Sequence, residues 1–114
     1  MKSATKVIAH FLYSEGMGSI SEITETTFWI EGKRKNKVEV AWKSLSSSID
    51  LSDCCLCCDF LIMCLFDKTG DNVVLLKTEE VKSLVKDNSV KLVDIAPIIV
   101  KRWAVEFLKD EVSS

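Results

Sequence analysis

Residues 26–43, Thr-Thr-Phe-Trp-Ile-Glu-Gly-Lys-Arg-Lys-Asn-Lys-Val-Glu-Val-Ala-Trp-Lys, decide how this chain folds. The first part of the stretch is rich in threonine and aromatic residues, which favour strands, and residues 32–36 interrupt the apolar pattern. Beyond the interruption, Val38, Val40 and Trp42 alternate with polar or small residues, as in a strand with one apolar face. The stretch therefore predicts a β-hairpin with a basic turn.

The second half of this stretch also fits a helix. Val38, Ala41, Trp42 and Leu45 recur at the spacing of a helical stripe, and Asn36 is a suitable capping residue. We favour the strand because the residues just upstream are strongly β-prone and the glycine lets the chain return beside them. A helix here would instead be the recognition helix of a winged-helix DNA-binding protein.

The rest of the chain alternates between helical and strand patterns. We predict an amphipathic helix ending near residue 15, then strands over 58–66 and 73–77 joined by a turn over 67–72. A helix from Thr78 to about residue 88 and a strand over 90–95 follow. A final helix is predicted to start at Pro97, with an apolar stripe formed by Val100, Trp103, Ala104, Phe107 and Leu108. This order predicts one domain over residues 1–114 of the α/β (α+β) class. We expect a central mixed sheet of four to five strands with flanking helices.

Composition and charge exclude several classes of protein. The chain has 114 residues, of which 47% are hydrophobic and 28% charged, with a net charge of −2, which excludes a disordered chain and a globally basic nucleic-acid coat. The longest apolar run, residues 60–66, is too short to cross a bilayer, so we expect a soluble cytoplasmic protein without a membrane partner. Positive charge is concentrated instead at the predicted hairpin turn, in Lys33, Arg34, Lys35 and Lys37.

All five cysteines fall within eleven residues, at positions 54, 55, 57, 58 and 64. Disulfides are not expected, because a disulfide scaffold spreads its cysteines along the chain and an odd number leaves one unpaired. A zinc site usually needs a second ligand pair beyond a longer loop, so no metal ligands are assigned. The favoured interpretation is core packing. A thiolate metal or iron–sulfur site shared across a dimer and a redox pair remain as alternatives.

The element order and one short motif resemble the PD-(D/E)xK nucleases, which include the restriction endonucleases and the archaeal Holliday junction resolvases. The resemblance covers about residues 5–87. It rests on the opening helix, the second hairpin strand Val-Glu-Val-Ala-Trp-Lys at 38–43, and the apolar strands at 59–63 and 74–77. It implies a restriction-endonuclease-like fold in which two carboxylates on adjacent strands hold Mg²⁺. A lysine two residues beyond the second carboxylate then positions or activates the attacking water.

This chain departs from the family motif at two positions. Glu39 matches the second acid, but Ala41 stands where the lysine is expected, and Thr27 lies near the position of the first carboxylate. Lys43 is the next residue on the same strand face and is the candidate replacement. The resemblance therefore implies Glu39 and Lys43 as remnants of a catalytic site, with Mg²⁺ as cofactor only if the protein is an active DNA endonuclease. A plain ion pair between Glu39 and Lys43 is the alternative.

These observations predict a nucleic-acid-binding protein with a nuclease-like fold and weak or absent catalysis. It would bind duplex or branched DNA through the basic turn, whose charges neutralise phosphates, and serve in DNA repair or recombination. Its assembly would be a homodimer or a complex in which it supports an active, paralogous nuclease subunit. Two alternatives stay open: a winged-helix transcription regulator, and a small protein-interaction or metal-binding module.

Overall fold

The computed structural model describes residues 4–67 and 70–105 of the chain. The elements in these ranges are helix α1 (Ala4–Ser14), strands β1 (Ser19–Ser21), β2 (Thr27–Glu31), β3 (Lys35–Ser44), β4 (Ser48–Asp50), β5 (Phe60–Asp67) and β6 (Gly70–Lys77), helix α2 (Thr78–Leu84), strand β7 (Ser89–Lys91), helix α3 (Leu92–Ile95), a 3₁₀ turn (Ala96–Ile98) and strand β8 (Lys101–Val105). The α+β class is thereby confirmed. Within these ranges every helix is too short or too polar to traverse a lipid bilayer.

The main sheet has six strands in the order β1-β2-β3-β5-β6-β8, and β4 pairs with β7 in a small second sheet. Strands β3 and β5 run parallel, whereas the other neighbours in the main sheet are antiparallel. A parallel pair needs a crossover connection, and residues 45–59 provide it. The mixed sheet was predicted, but it has one strand more than the expected four to five.

The decisive stretch forms the hairpin β2–β3. Thr27 lies opposite Glu39, Trp29 opposite Lys37, and Glu31 opposite Lys35. The strand interpretation of residues 37–43 is therefore confirmed and the helical one is wrong. The winged-helix arrangement fails with it, because its recognition helix is a strand here.

Apolar side chains fill both faces of the sheet. On one face, Ile8 and Leu12 of α1 pack in a cluster with Phe28, Val38 and Val40. On the opposite face, the cluster contains Ala41, Leu61 and Leu65 from the sheet, Val81 from α2, and Ile95 from α3. Because side chains alternate along a strand, the odd-numbered residues of β3 share the second face. Glu39 and Lys43 are among them.

The C-terminal part of the described chain differs from the prediction. The strand expected over 90–95 is shared between β7 and α3, and the final helix expected after Pro97 is a 3₁₀ turn followed by strand β8. Strand β8 pairs with β6, and the Val100 N–H donates to the Leu75 carbonyl at 2.8 Å. This pairing satisfies backbone groups that would otherwise be left at the edge of β6, and it outweighs the local helical pattern. Two residues of that predicted helix, Phe107 and Leu108, lie outside the described ranges.

Smaller differences concern turns. Asp67 and residues 70–72 were predicted to lie in a turn but belong to paired strands, with Asp67 opposite Gly70. Helix α2 ends at Leu84 rather than near residue 88, because the backbone is already extended at Val85. Asp87 and Asn88 then adopt positive φ angles of 52° and 62° in a tight turn. Aspartate and asparagine tolerate this conformation better than most residues.

Candidate functional site

Glu39 is almost completely buried, with 4% of its surface exposed, yet its partners are backbone groups. The Cys55 N–H donates to Oε2 at 3.0 Å, and the Leu56 N–H donates to Oε1 at 3.1 Å. Both donors lie in residues 51–59, the segment between β4 and β5 that we name the cysteine loop. A carboxylate that accepts two amide hydrogen bonds is well stabilised in a buried position. Glu39 thus ties the cysteine loop to β3.

Lys43 also contacts the cysteine loop. Its Nζ lies 2.5 Å from Asp53 Oδ1, and the lysine side chain is 15% exposed. This hydrogen bond and the positive charge of Lys43 lower the pKa of the Asp53 carboxyl. Glu39 and Lys43 share a strand face as predicted, but the ion pair of Lys43 is with Asp53 and not with Glu39.

The residues around Glu39 do not fit a Mg²⁺ centre. Thr27, directly opposite Glu39, offers a neutral hydroxyl where the nuclease motif has a carboxylate. Ala41, at the position of the motif lysine, is 5% exposed and packed in the apolar cluster of the second face. Both Glu39 oxygens already accept hydrogen bonds from the loop. A magnesium site needs carboxylate oxygens that are free to face the ion.

Trp29, Lys35 and Lys37 form a second feature on the same sheet face, which we call the tryptophan–lysine patch. The Lys35 and Lys37 ammonium groups lie 5.1 Å and 5.8 Å from the centroid of the half-buried Trp29 indole. Ser21, which has a small side chain, is the neighbour of Trp29 on β1. Cation–aromatic contacts at these distances are favourable.

The structure divides the four predicted DNA-binding residues between two places. Lys35 and Lys37 belong to the tryptophan–lysine patch, whereas Lys33 and Arg34 line a cavity of about 330 Å³ that also contacts Leu12 of α1. Trp29 was assigned no role from the sequence, since tryptophan at a strand position is more often part of a core. The sequence offered one indication that Trp29 has a functional role, namely its place in the hairpin, which sets it opposite a basic residue.

The cysteine loop brings three sulfur atoms together. The Sγ atoms of Cys55, Cys57 and Cys58 lie within 4.8 Å of one another, and Cys55 and Cys57 form a disulfide. The prediction against disulfides is therefore wrong. Leu56 has a positive φ of 52°, and the turn that it makes brings the Cα atoms of Cys55 and Cys57 to 5.3 Å, within bonding range for cysteines.

Core packing, the favoured interpretation of the cysteines, holds for only part of the set. Cys58 and Cys64 are buried, Cys54 is half-buried, and Cys55 and Cys57 are exposed. Burial, reinforced by the negative charge of Glu39, raises the pKa of the Cys54 thiol to about 12. The same two causes raise the pKa of Cys58. Both thiols are thus protonated and weakly nucleophilic at neutral pH.

Comparison with protein-family models, with characterised proteins and with solved structures gave no significant match. The functional argument therefore rests on two local features of one sheet face, the tryptophan–lysine patch and the cysteine loop.

Proposed function

We propose that this chain is a non-catalytic nucleic-acid-binding domain that binds branched DNA through the tryptophan–lysine patch. The observation that carries the proposal is the placement of two ammonium groups within 6 Å of the half-buried Trp29 indole. An indole stacks on unpaired bases, and flanking lysines neutralise the adjacent phosphates. Branch points expose such bases together with closely spaced phosphates.

The patch sits on a rigid support. Strand pairing sets Trp29 opposite Lys37. The Lys37 N–H donates to Asp59 Oδ2 at 2.8 Å, and the Asp59 N–H donates back to the Lys37 carbonyl at 2.9 Å. The backbone of Lys37 is thereby held from both sides, so its side chain starts from a fixed position. Fewer groups then need to be ordered on binding, which favours affinity.

We propose further that the scaffold is nuclease-like, and the sheet order supports this. The hairpin β2–β3 is followed by a crossover to the parallel strand β5, and the motif acid Glu39 lies on β3. Absence of catalysis is supported by the neutral Thr27, the buried Ala41 and the hydrogen bonds that occupy Glu39. A scaffold of this kind would bind a substrate shape without cleaving it.

The proposal is tested with fluorescently labelled branched, duplex and single-stranded DNA of matched sequence. Fluorescence anisotropy is expected to give the highest affinity for the branched form. A plot of log affinity against log salt concentration should have a slope of about −2 to −4, which corresponds to a few phosphates. A slope near zero, or equal affinity for all three forms, would contradict the proposal.

Matched variants locate the binding surface. The double variant Lys35→Ala/Lys37→Ala should bind branched DNA at least tenfold more weakly. The control Lys86→Ala/Lys91→Ala removes the same charge from two exposed lysines near β7 and should bind within about twofold of wild type. Glu31 lies opposite Lys35, so Glu31→Gln should strengthen binding. Equal losses in the two lysine pairs would show that net charge and not this patch governs binding.

A further inference from the structure

The thiol groups of the cysteine loop have no part in the proposed DNA binding. We propose that, in its reduced form, this loop binds one soft metal ion through Cys55, Cys57 and Cys58, and that the Cys55–Cys57 disulfide closes the site. The loop would then be a metal site controlled by its own oxidation state.

The spacing of the sulfur atoms matches a metal centre. All three lie within 4.8 Å of one another, and with zinc–sulfur bonds of about 2.3 Å two thiolates on one ion are separated by at most about 4.6 Å. Cys55 and Cys57 are bonded to each other in the disulfide form, so reduction must first separate them, after which side-chain rotations let the three sulfur atoms converge on an ion. Cys55 and Cys57 are exposed, which gives an ion access, while the buried Cys58 provides a ligand from beneath.

The backbone of the loop is held in place from several points. Glu39 accepts hydrogen bonds from the Cys55 and Leu56 amides, and the Cys54 N–H donates to the Leu51 carbonyl at 3.0 Å. At the far end, Asp59 is bonded to Lys37 in both directions. A loop fixed in this way presents its sulfur atoms without a large ordering cost. Glu39 is a positioning residue in this site and is not a ligand.

The donor set selects the kind of ion. Three thiolates are soft ligands, which favour Zn²⁺, Cd²⁺ and Cu⁺ over Mg²⁺ or Ca²⁺. The bound complex of three thiolates and a divalent ion has a charge of −1. The negative charges of Glu39 and Asp59 near Cys58 oppose such a complex, and the positive charge of Lys37 offsets part of them.

The opening step is a two-electron reduction. A dithiol reductant supplies two electrons and two protons, the Cys55–Cys57 bond breaks to give two thiols, and the reductant becomes a disulfide. A divalent ion then replaces three thiol protons, which are released to solvent. Oxidation of the loop by a disulfide reverses both steps and releases the ion.

The proposal is tested by titrating the full chain with Cd²⁺, which gives a thiolate-to-metal absorption band in the ultraviolet. Chain reduced with dithiothreitol and desalted without oxygen should bind one Cd²⁺ per chain. The disulfide form should show no such band until it is reduced. A reduced chain without the band, or an oxidised chain that binds equally well, would overturn the proposal.

Variants distinguish the three ligands from their neighbour. Cys57→Ser alters an exposed ligand and should weaken Cd²⁺ binding by at least a hundredfold while leaving the fold intact. Cys54→Ser is the matched control, because Cys54 is the adjacent cysteine outside the sulfur cluster. It should retain affinity within about threefold. Equal losses in Cys54→Ser and Cys57→Ser would refute the ligand assignment. DNA binding is measured separately, so either proposal can fail alone.

Discussion

Replacing Glu39 tests whether this residue anchors the cysteine loop or remains as an available catalytic carboxylate. In the structure both of its oxygens accept amide hydrogen bonds, at 3.0 Å and 3.1 Å, in a position that is 4% exposed. A hydrogen bond to a charged group contributes about 1.5–3 kcal/mol, and burial of the charge cancels part of the sum. Glu39→Ala should therefore lower the free energy of unfolding by about 2–4 kcal/mol.

Two further variants make the comparison specific. Glu39→Gln retains one carbonyl oxygen but turns an NH₂ group toward the second amide, so it should cost about 1–2 kcal/mol. Glu31→Ala is the control, because Glu31 is an exposed glutamate on the neighbouring strand, and it should stay within about 0.5 kcal/mol of wild type.

The assay is urea unfolding followed by circular dichroism at neutral pH. Cleavage of the chain by a protease within residues 51–59 gives a second readout, since release of the anchor should expose this loop. The reasoning is refuted if Glu39→Ala is as stable as Glu31→Ala and its loop is no more accessible. A more stable Glu39→Ala would point to a carboxylate held for catalysis at the expense of stability.

Three other outcomes follow from the site. Lys43 lowers the pKa of Asp53 in the folded chain, so the ion pair between them stabilises the fold fully above the unfolded pKa of Asp53, near 4. This stabilisation is lost as the pH falls through the lower pKa of the folded chain. Unfolding curves of wild type and Asp53→Asn should therefore differ at neutral pH and converge in acid. Burial raises the pKa of Cys54 to about 12, so iodoacetamide at pH 8 should alkylate this thiol far more slowly in the folded chain than in urea. Mass spectrometry follows the two rates, and equal rates would contradict the burial of Cys54. Incubation with Mg²⁺ and branched DNA should give no cleavage by wild type or by Ala41→Lys, since Thr27 and Glu39 do not form a carboxylate pair; cleavage by the lysine variant would show that Glu39 is available after all.

The sequence is sufficient to predict elements whose signals are local. Helix α1 follows from its apolar stripe, and the hairpin β2–β3 follows from β-prone residues on both sides of a glycine-containing turn. Strand β8 is different, because its conformation is decided by hydrogen bonds to β6, about 30 residues earlier in the chain. A local stripe through Val100 and Trp103 fits a helix equally well and gives no sign of this pairing.

The sequence predicts which side chains of β3 belong to the candidate site, but it does not predict the groups that they contact. Glu39 and Lys43 share a face because they are four residues apart on a strand, which period-two alternation predicts. Their partners, the Cys55 and Leu56 amides and the Asp53 carboxylate, depend on how the cysteine loop folds over β3. That path requires a positive φ at Leu56, which leucine rarely adopts and which a sequence pattern therefore does not indicate.

The most direct test of the central claim is the tryptophan emission of wild type and Trp29→Phe during titration with branched DNA. The account predicts that DNA quenches the wild-type emission, that this quenching is lost in Trp29→Phe, and that anisotropy still reports binding by the variant, since phenylalanine also stacks on bases. Unchanged wild-type emission when anisotropy shows bound DNA, or equal quenching in Trp29→Phe, would contradict it.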